Sequence, residues 1–233
     1  LTITVNPALD LSTEAPAVVP DRKLRCSAPR LQPGGGGVNV SRAIRALGGT
    51  SRTLLAHGGH TGATYVDRLR EEGLEPLSLG VTYPTRESVT VRDAANGLQY
   101  RFMMPGPPWT AADADGARDA ILAAVTDGAL VVPSGSFPPG LPETFFLDLN
   151  PALEAVGAHM LLDTSGAALS LAAEAGAGLH VLRMDLEEAQ EMSGRALARI
   201  EDVADLAEQL RQAGAAQMVL IAAGAQGNVI ASA

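Results

Sequence analysis

Four consecutive glycines, Gly34 to Gly37, stand between Pro33 and the run Val38-Asn39-Val40-Ser41-Arg42-Ala43. Glycine loses more backbone freedom on folding than any other residue, so a fold keeps four in a row for close approach of the main chain or for positive φ. Opening into a helix, such a run presents free N–H donors that favour hydroxyls or phosphates. A flexible turn is the plainer reading of the same residues. The glycines are contiguous and no acidic residue follows at the Rossmann spacing, which excludes a dinucleotide fingerprint; a Walker loop would need Gly-Lys-Ser/Thr.

The rest of the chain alternates two periods. Ala129–Val132, Met160–Leu162 and Met218–Ile221 are short apolar runs of buried-strand length. Between them, Ile44 with Leu47, Val66 with Leu69, and Ala204, Leu206, Ala207 and Leu210 after Ile200 fall at helical spacing. This alternation predicts an α/β fold, a mainly parallel sheet with helices on both faces. Residues 21–32 and 86–104 break the rhythm by alternating side-chain types, with Asn96-Gly97 as a hairpin turn between Ser88–Arg92 and Leu98–Met103. They predict a small, half-exposed antiparallel flap. Exposed strands need cover, and a second copy's flap would supply it, so a homodimer is expected.

Composition narrows the partners. Hydrophobic residues make up 46% of the 233 and charged ones 18%, an ordinary globular balance. The net charge of −9 argues against nucleic acid or an anionic membrane as partner, so an anionic ligand needs a local basic pocket. A single cysteine, Cys26, cannot form an internal disulfide, and the expected compartment is the cytoplasm. Leu1–Val5 reads as a strand and not a secretory leader. The uncharged stretch from Gln212 onward carries too many glutamines and glycines to be a membrane span.

Loops rich in small polar residues follow the strand-like runs. Asn6-Pro-Ala-Leu-Asp10 places a carboxylate after the first strand, where Asp10 would accept from sugar hydroxyls or, more plainly, cap a turn or helix. Pro133-Ser134-Gly135-Ser136 to Gly140 follows the second run, and Asp163-Thr-Ser-Gly166 the third. Hydroxyl-rich loops on one rim predict a cleft for a polar small molecule.

Taken in order, these motifs resemble the PfkB/ribokinase family of sugar kinases, within it the phosphofructokinase and tagatose-6-phosphate kinase group. The resemblance covers the whole chain. It also draws on Lys23-Leu-Arg-Cys26, Gly58-Gly-His-Thr-Gly62, Thr85-Arg86, Gln99-Tyr-Arg-Phe102 and Met104-Pro-Gly106. It implies a ribokinase-like three-layer αβα domain over 1–233, with a flap (lid) formed by about 11–32 and 84–105. Asp10 and Asn39 match residues that hold sugar hydroxyls, Gly35 and Gly36 allow the approach, and Ser136 matches a residue near the sugar. Arg86 matches the family's substrate-phosphate arginine; Lys23, with Arg25, matches flap residues reaching that phosphate across the dimer. Lys23 is the only lysine among 17 basic residues.

For the nucleotide, the family's Lys-Pro-Asn-x-x-Glu reads here as Arg183-Met184-Asp185-Leu186-Glu187-Glu188. The resemblance implies that Arg183 and Asp185, with Gly224 and Gly227 of Ala222-Ala-Gly-Ala-Gln-Gly227, meet ATP, and that Glu188 organises Mg²⁺ through water. Asp185-x-x-Glu188 also reads as a helix-capping pair. Asp185 for asparagine adds negative charge, and Ala222 stands where a hydroxyl is usual. The family's catalytic aspartate sits in a Gly-Ala-Gly-Asp segment, expected beyond Ala233; no residue of the chain is given that role. A piece of a complete kinase and a protein without the segment are both open. The implied activity is ATP-dependent phosphorylation of fructose 6-phosphate to fructose 1,6-bisphosphate. Kinases for fructose 1-phosphate, tagatose 6-phosphate or another sugar or nucleoside, and a silent sugar-phosphate binder, are the alternatives.

Overall fold

The computed structural model describes residues 1–174 and 176–233. Its order is β1 (Thr2–Thr4), β2 (Ala8–Ala15), β3 (Arg30–Gly34), α1 (Gly36–Ala46), β4 (Thr53–His57), α2 (Gly59–Glu71), β5 (Pro76–Gly80), β6 (Arg86–Asp93) and β7 (Gln99–Met103). It continues with α3 (Ala111–Ala124), β8 (Leu130–Pro133), α4 (Phe145–Glu154), β9 (His159–Asp163), α5 (Gly166–Glu174), β10 (Leu179–Asp185), α6 (Leu186–Ser193), α7 (Ile200–Gln212), β11 (Ala216–Ala222) and β12 (Asn228–Ser232).

Eight strands form the main sheet in the order β12-β11-β10-β9-β8-β1-β4-β5, parallel throughout except for β12, which turns back antiparallel on β11. Helices complete three layers. After β1 the chain winds outward through β4 and β5, then returns to β8 on the other side and winds the opposite way. The reversal falls between β1 and β8. Open α/β sheets bind ligands outside the carboxyl ends of the strands at such a switch point.

The main core packs α3, α4, α5, α6 and α7 residues, among them Ile121, Leu149, Leu169, Ala189 and Leu206, against β8 to β11. A smaller cluster of Leu9, Val38, Leu55, Tyr65, Leu69 and Leu74 joins α1, α2, β2 and β4. Two helical stripes are displaced from the predicted ones. Leu47 is 87% exposed because α1 ends at Ala46 and a glycine pair, Gly48 with φ of 83° and then Gly49, turns the chain; the helix buries Gly37, Val38 and Ser41 instead. On α7, Val203 is buried and Ala204 exposed. A valine buries more apolar surface than an alanine, so the helix turns that side to the core.

The small sheet runs β3-β2-β6-β7. Its outer ladders, β2 with β3 and β6 with β7, are antiparallel, and the central ladder of β2 with β6 is parallel. Both central strands leave the body at their first residues, so they run outward together. Of residues 21–32 only the stretch from Arg30 is strand; 16–29 is a mostly exposed connection, whose Ser27 N–H still donates to the Glu14 carbonyl of β2 (2.9 Å). Gly97, at a φ of 76°, turns the β6–β7 hairpin. Among the described residues no helix is long and apolar enough to cross a membrane.

Candidate functional site

The glycine run lies on the switch point. A Cβ on Gly35 would stand 2.6 Å from Thr4 Cγ2, one on Gly36 2.7 Å from the Ser134 carbonyl carbon, and one on Gly37 2.5 Å from the Ile3 carbonyl oxygen. Only hydrogen at these positions lets α1 start in contact with the ends of β1 and β8. The Gly37 N–H donates to the Ser134 carbonyl (3.2 Å), and Tyr65, fully buried, donates its hydroxyl to the Gly34 carbonyl (2.7 Å). The start of α1 is thereby fixed from both sides, with the rest of its free N–H donors toward the cleft.

Asp10 is neither a turn residue nor a helix cap. It sits within β2, paired with Gln32 on β3 and Ser88 on β6, because β2 leaves the main sheet and carries Asp10 into the flap. Partial burial raises its pKa, opposed by the positive charges of Arg86, Arg101 and Arg42. Asn39, in the first turn of α1, is exposed and accepts from Arg42 Nη1 at Oδ1 (2.9 Å). Arg86 donates from Nη1 to the Met104 carbonyl (3.0 Å) and from Nη2 to the Asn6 carbonyl (3.1 Å); burial pushes its pKa down, opposed by Asp10. Asn6 Nδ2 donates to Ser136 Oγ (3.1 Å), tying the first loop to the second. Arg86 and Asn6 thus tie the start of the flap to the Ser136 loop. Asp10 lies within the charge of Arg86 and Arg42, Asn39 bonds Arg42, and Gly35 and Gly36 abut Thr4 and Ser134, so these predicted residues lie along the junction of flap and sheet edge. Lys23 and Arg25 are exposed on the 16–29 connection, with no side-chain hydrogen bond or ion pair to these groups among the described residues.

Orphaned polar atoms lie along the same junction. Thr4 Oγ1, Asn6 Oδ1, Arg86 Nε and Ser88 Oγ are buried without partners among the described residues, as is His57 Nε2. Buried polar groups are nearly always hydrogen-bonded, and an ordered water is the ordinary partner for atoms enclosed in this way.

Farther along the edge, Arg183 on β10 donates to Asp163 Oδ1 (2.9 Å) and stands 3.8 Å from Glu188. Asp185 and Glu188 form a reciprocal capping box at the start of α6, at 2.9 and 2.7 Å. The carboxyl of Glu188 is pushed up by burial and by the neighbouring charges of Asp185 and Asp163, against the Asp185 N–H and Arg183. Gly224 and Gly227, at φ of 57° and 100°, bound a short turn between β11 and β12; the register of Asp185 opposite Ala222 sets this turn beside the capping box. Nothing would obstruct a Cβ on either glycine, so the turn is open to solvent. Among the described residues no three His, Cys, Asp or Glu side chains converge as a metal cage. Glu188, a half-buried carboxylate at the start of α6, is an oxygen donor of the kind that holds Mg²⁺ through water beside phosphates.

One group joins the two halves, and its sequence context gave it no role. Asp163 Oδ2 accepts from Ser134 Oγ (2.6 Å) while Oδ1 holds Arg183, and its carbonyl accepts from the Gly135 N–H (3.0 Å). Arg42 and Arg101, which lie inside quoted motifs but were given no role of their own, belong to the positive field on Asp10. For Arg101 a signal was present in its alternate position on β7, opposite Thr90. For Arg42 nothing in the sequence gave its side chain a direction.

Residues 5–233 match the model of the pfkB family carbohydrate kinases. The chain belongs to the pfkB family of carbohydrate kinases. Its pfkB relatives include the ATP-dependent 6-phosphofructokinase isozyme 2 of Mycobacterium tuberculosis, 35% identical over 232 residues, 100% of this chain and 68% of that protein. The enzyme of the same name from Escherichia coli K12 is 35% identical over 226 residues, covering 97% and 72%. The crystal structure of Escherichia coli phosphofructokinase-2 in complex with fructose-6-phosphate superposes with a TM-score of 0.91 at 33% identity, over 100% of this chain and 76% of that one. A 1-phosphofructokinase of Xanthomonas campestris is 30% identical over 229 residues, covering 97% and 72%.

Proposed function

We propose that this pfkB kinase transfers the γ-phosphoryl group of ATP to a primary hydroxyl of fructose 6-phosphate, giving fructose 1,6-bisphosphate. The observation that carries the reading is the juxtaposition of Asp10, Asn39 and the glycine run with the arginines of the flap. It offers hydroxyl acceptors and donors beside a cationic wall, which suits a phosphorylated sugar in a chain of net charge −9. The names of its 35%-identical relatives agree.

In this reading Asp10 accepts from the sugar hydroxyls, Asn39 and the main chain at Gly35 and Gly36 bind the ring, and Ser136 borders it. Arg86 binds the existing phosphate with the donors its carbonyl partners leave free. Arg183 and the Gly224–Gly227 turn face the ATP phosphates, and Glu188 holds Mg²⁺ through water, which when bound neutralises phosphate charge. Phosphoryl transfer asks for positioning and charge neutralisation more than for covalent chemistry. Lys23 and Arg25 serve the site of a partner subunit in a flap-to-flap homodimer. The apolar, exposed side chains of Tyr100, Phe102, Met103 and Met104 at the flap edge support that assembly. ATP and sugar phosphates do not cross bilayers unaided, so the cytoplasm is the compartment.

A coupled assay with ATP, Mg²⁺ and a panel of sugars and sugar phosphates tests the reading. ADP release with fructose 6-phosphate, absent with neutral fructose, supports it; equal turnover of both refutes the phosphate grip. Asp185 facing the nucleotide side keeps one other reading in play, a silent sugar-phosphate binder. That reading wins if calorimetry detects the sugar phosphate while the complete gene product releases no ADP.

A further inference from the structure

We propose that Arg42, clamped by Glu72, is a positioning residue for the sugar: it fixes the side-chain amide of Asn39 with the N–H₂ group turned to the cleft. The inference rests on the sugar-phosphate reading and adds to it the group that decides how Asn39 is used.

The two ends of an asparagine amide have nearly the same shape, and the terminal torsion is broad and roughly two-fold. Without a neighbour of fixed polarity, Asn39 could present either its oxygen or its nitrogen to a ligand. Arg42 stands three residues along α1, on the same helical face. A guanidinium only donates, so the atom it faces must be the oxygen. Arg42 Nη1 lies 2.9 Å from Asn39 Oδ1.

The guanidinium is itself held in place. Its Nε donates to Glu72 Oε2 (2.7 Å) and its Nη2 to Glu72 Oε1 (2.9 Å), a two-pronged grip from the end of α2. Such a fork fixes the plane and direction of the arginine, which a single ion pair would not. Glu72 through Arg42 thus sets Asn39 as a donor. Asp10, a carboxylate, is an acceptor. A sugar hydroxyl that donates to Asp10 can accept from Asn39 in the same pose, whereas a flipped Asn39 would set oxygen against oxygen. Arg42 also contributes positive charge at Asp10, which places it within electrostatic reach of both sugar-binding groups.

The test is a double-mutant cycle read by calorimetry, with fructose 6-phosphate and, separately, ATP as probes. Arg42→Ala is expected to weaken the sugar phosphate about tenfold, the scale of one hydrogen bond to a charged partner. Arg42→Lys, which cannot fork to Glu72 and reach Asn39 at once, is expected to weaken it about threefold and keeps the site testable should the alanine variant fail to fold. In an Asn39→Ala background, Arg42→Ala should change the affinity less than about twofold, because the group it acts through is gone. ATP affinity should stay level throughout. Additive losses in the double variant, parallel loss of ATP affinity, or unchanged sugar affinity in the single variants would overturn the assignment while leaving the kinase reading intact. A wild-type protein that binds ATP but no sugar phosphate would overturn that reading, and the assignment with it.

Discussion

Replacing Gly37 by alanine separates what a helix prefers from what this fold permits. Inside a helix, glycine to alanine is worth about 1 kcal/mol in favour of alanine. Gly37 is a buried helical residue of α1 whose φ raises no objection to a side chain. Its added Cβ, however, would meet the Ile3 carbonyl oxygen at 2.5 Å and Thr4 Oγ1 at 2.7 Å, where ordinary contact begins at 3.4 Å. The obstruction is backbone of the central strand, so α1 must lift by roughly 0.9 Å or β1 must distort. Overpacking costs about 1–3 kcal/mol, and a clash with strand backbone at 2.5 Å belongs in the upper part of that range, about 2–3 kcal/mol, which leaves a net loss of about 1–2 kcal/mol. In a chain of this size that lowers Tm by about 2–8 °C. The lift also carries Asn39 away from Asp10, and an ångström of misplacement can cost about a hundredfold in rate. Gly116 provides the control: it lies within α3, a Cβ added there would meet nothing within 4 Å, and Gly116→Ala should raise Tm. Scanning calorimetry of both variants, with sugar-phosphate affinity measured alongside, decides the matter. A Gly37→Ala protein as stable as wild type, with unchanged affinity, would refute the reasoning.

Three further outcomes are expected. Sugar affinity should decline as pH falls through the raised pKa of Asp10, beginning above the ordinary aspartate range, because hydroxyl donors need the carboxylate. For stability the sign is reversed: a raised folded-state pKa means that ionising Asp10 costs stability at neutral pH, so Asp10→Asn should bind sugar poorly yet melt no lower than wild type, as pH titrations by calorimetry would reveal. Arg86→Ala should raise KM for a phosphorylated ketohexose about tenfold or more while hardly changing that for a neutral sugar; steady-state kinetics with equal effects on both would remove the assigned role. Asp163→Ala leaves Ser134 Oγ and Arg183 without their partner, so a stability loss of about 1–3 kcal/mol is expected in chemical denaturation, with weaker binding of both substrates.

Much of the layout is legible in the sequence. The short apolar runs at 129–132, 160–162 and 218–221 lie on β8, β9 and β11, because a buried parallel strand announces itself by composition alone. The glycine run is legible because few folds retain such a costly sequence without using it. The exposed positions at the end of α1 and within α7 are less so: Leu47 and Ala204 fit a helical stripe, but the stripe's phase depends on where the helix stops and which side meets the sheet. Asp10 stands out by its chemistry but not by its setting, since nothing local shows that β2 leaves the main sheet for the flap.

The amino-acid sequence by itself determined the alternation of strands and helices, the hinge of glycines and the kinds of polar group available, because backbone freedom, periodicity and charge are properties of neighbouring residues. Only the tertiary structure decided that Ser134, Asp163 and Arg183 form one hydrogen-bonded line, that Arg42 turns toward Asn39, and that Lys23 lies exposed on a connection outside the flap's strands. Those relations join residues near and far in the chain through directed bonds a few ångströms long, and their directions are set by how strands register and helices pack.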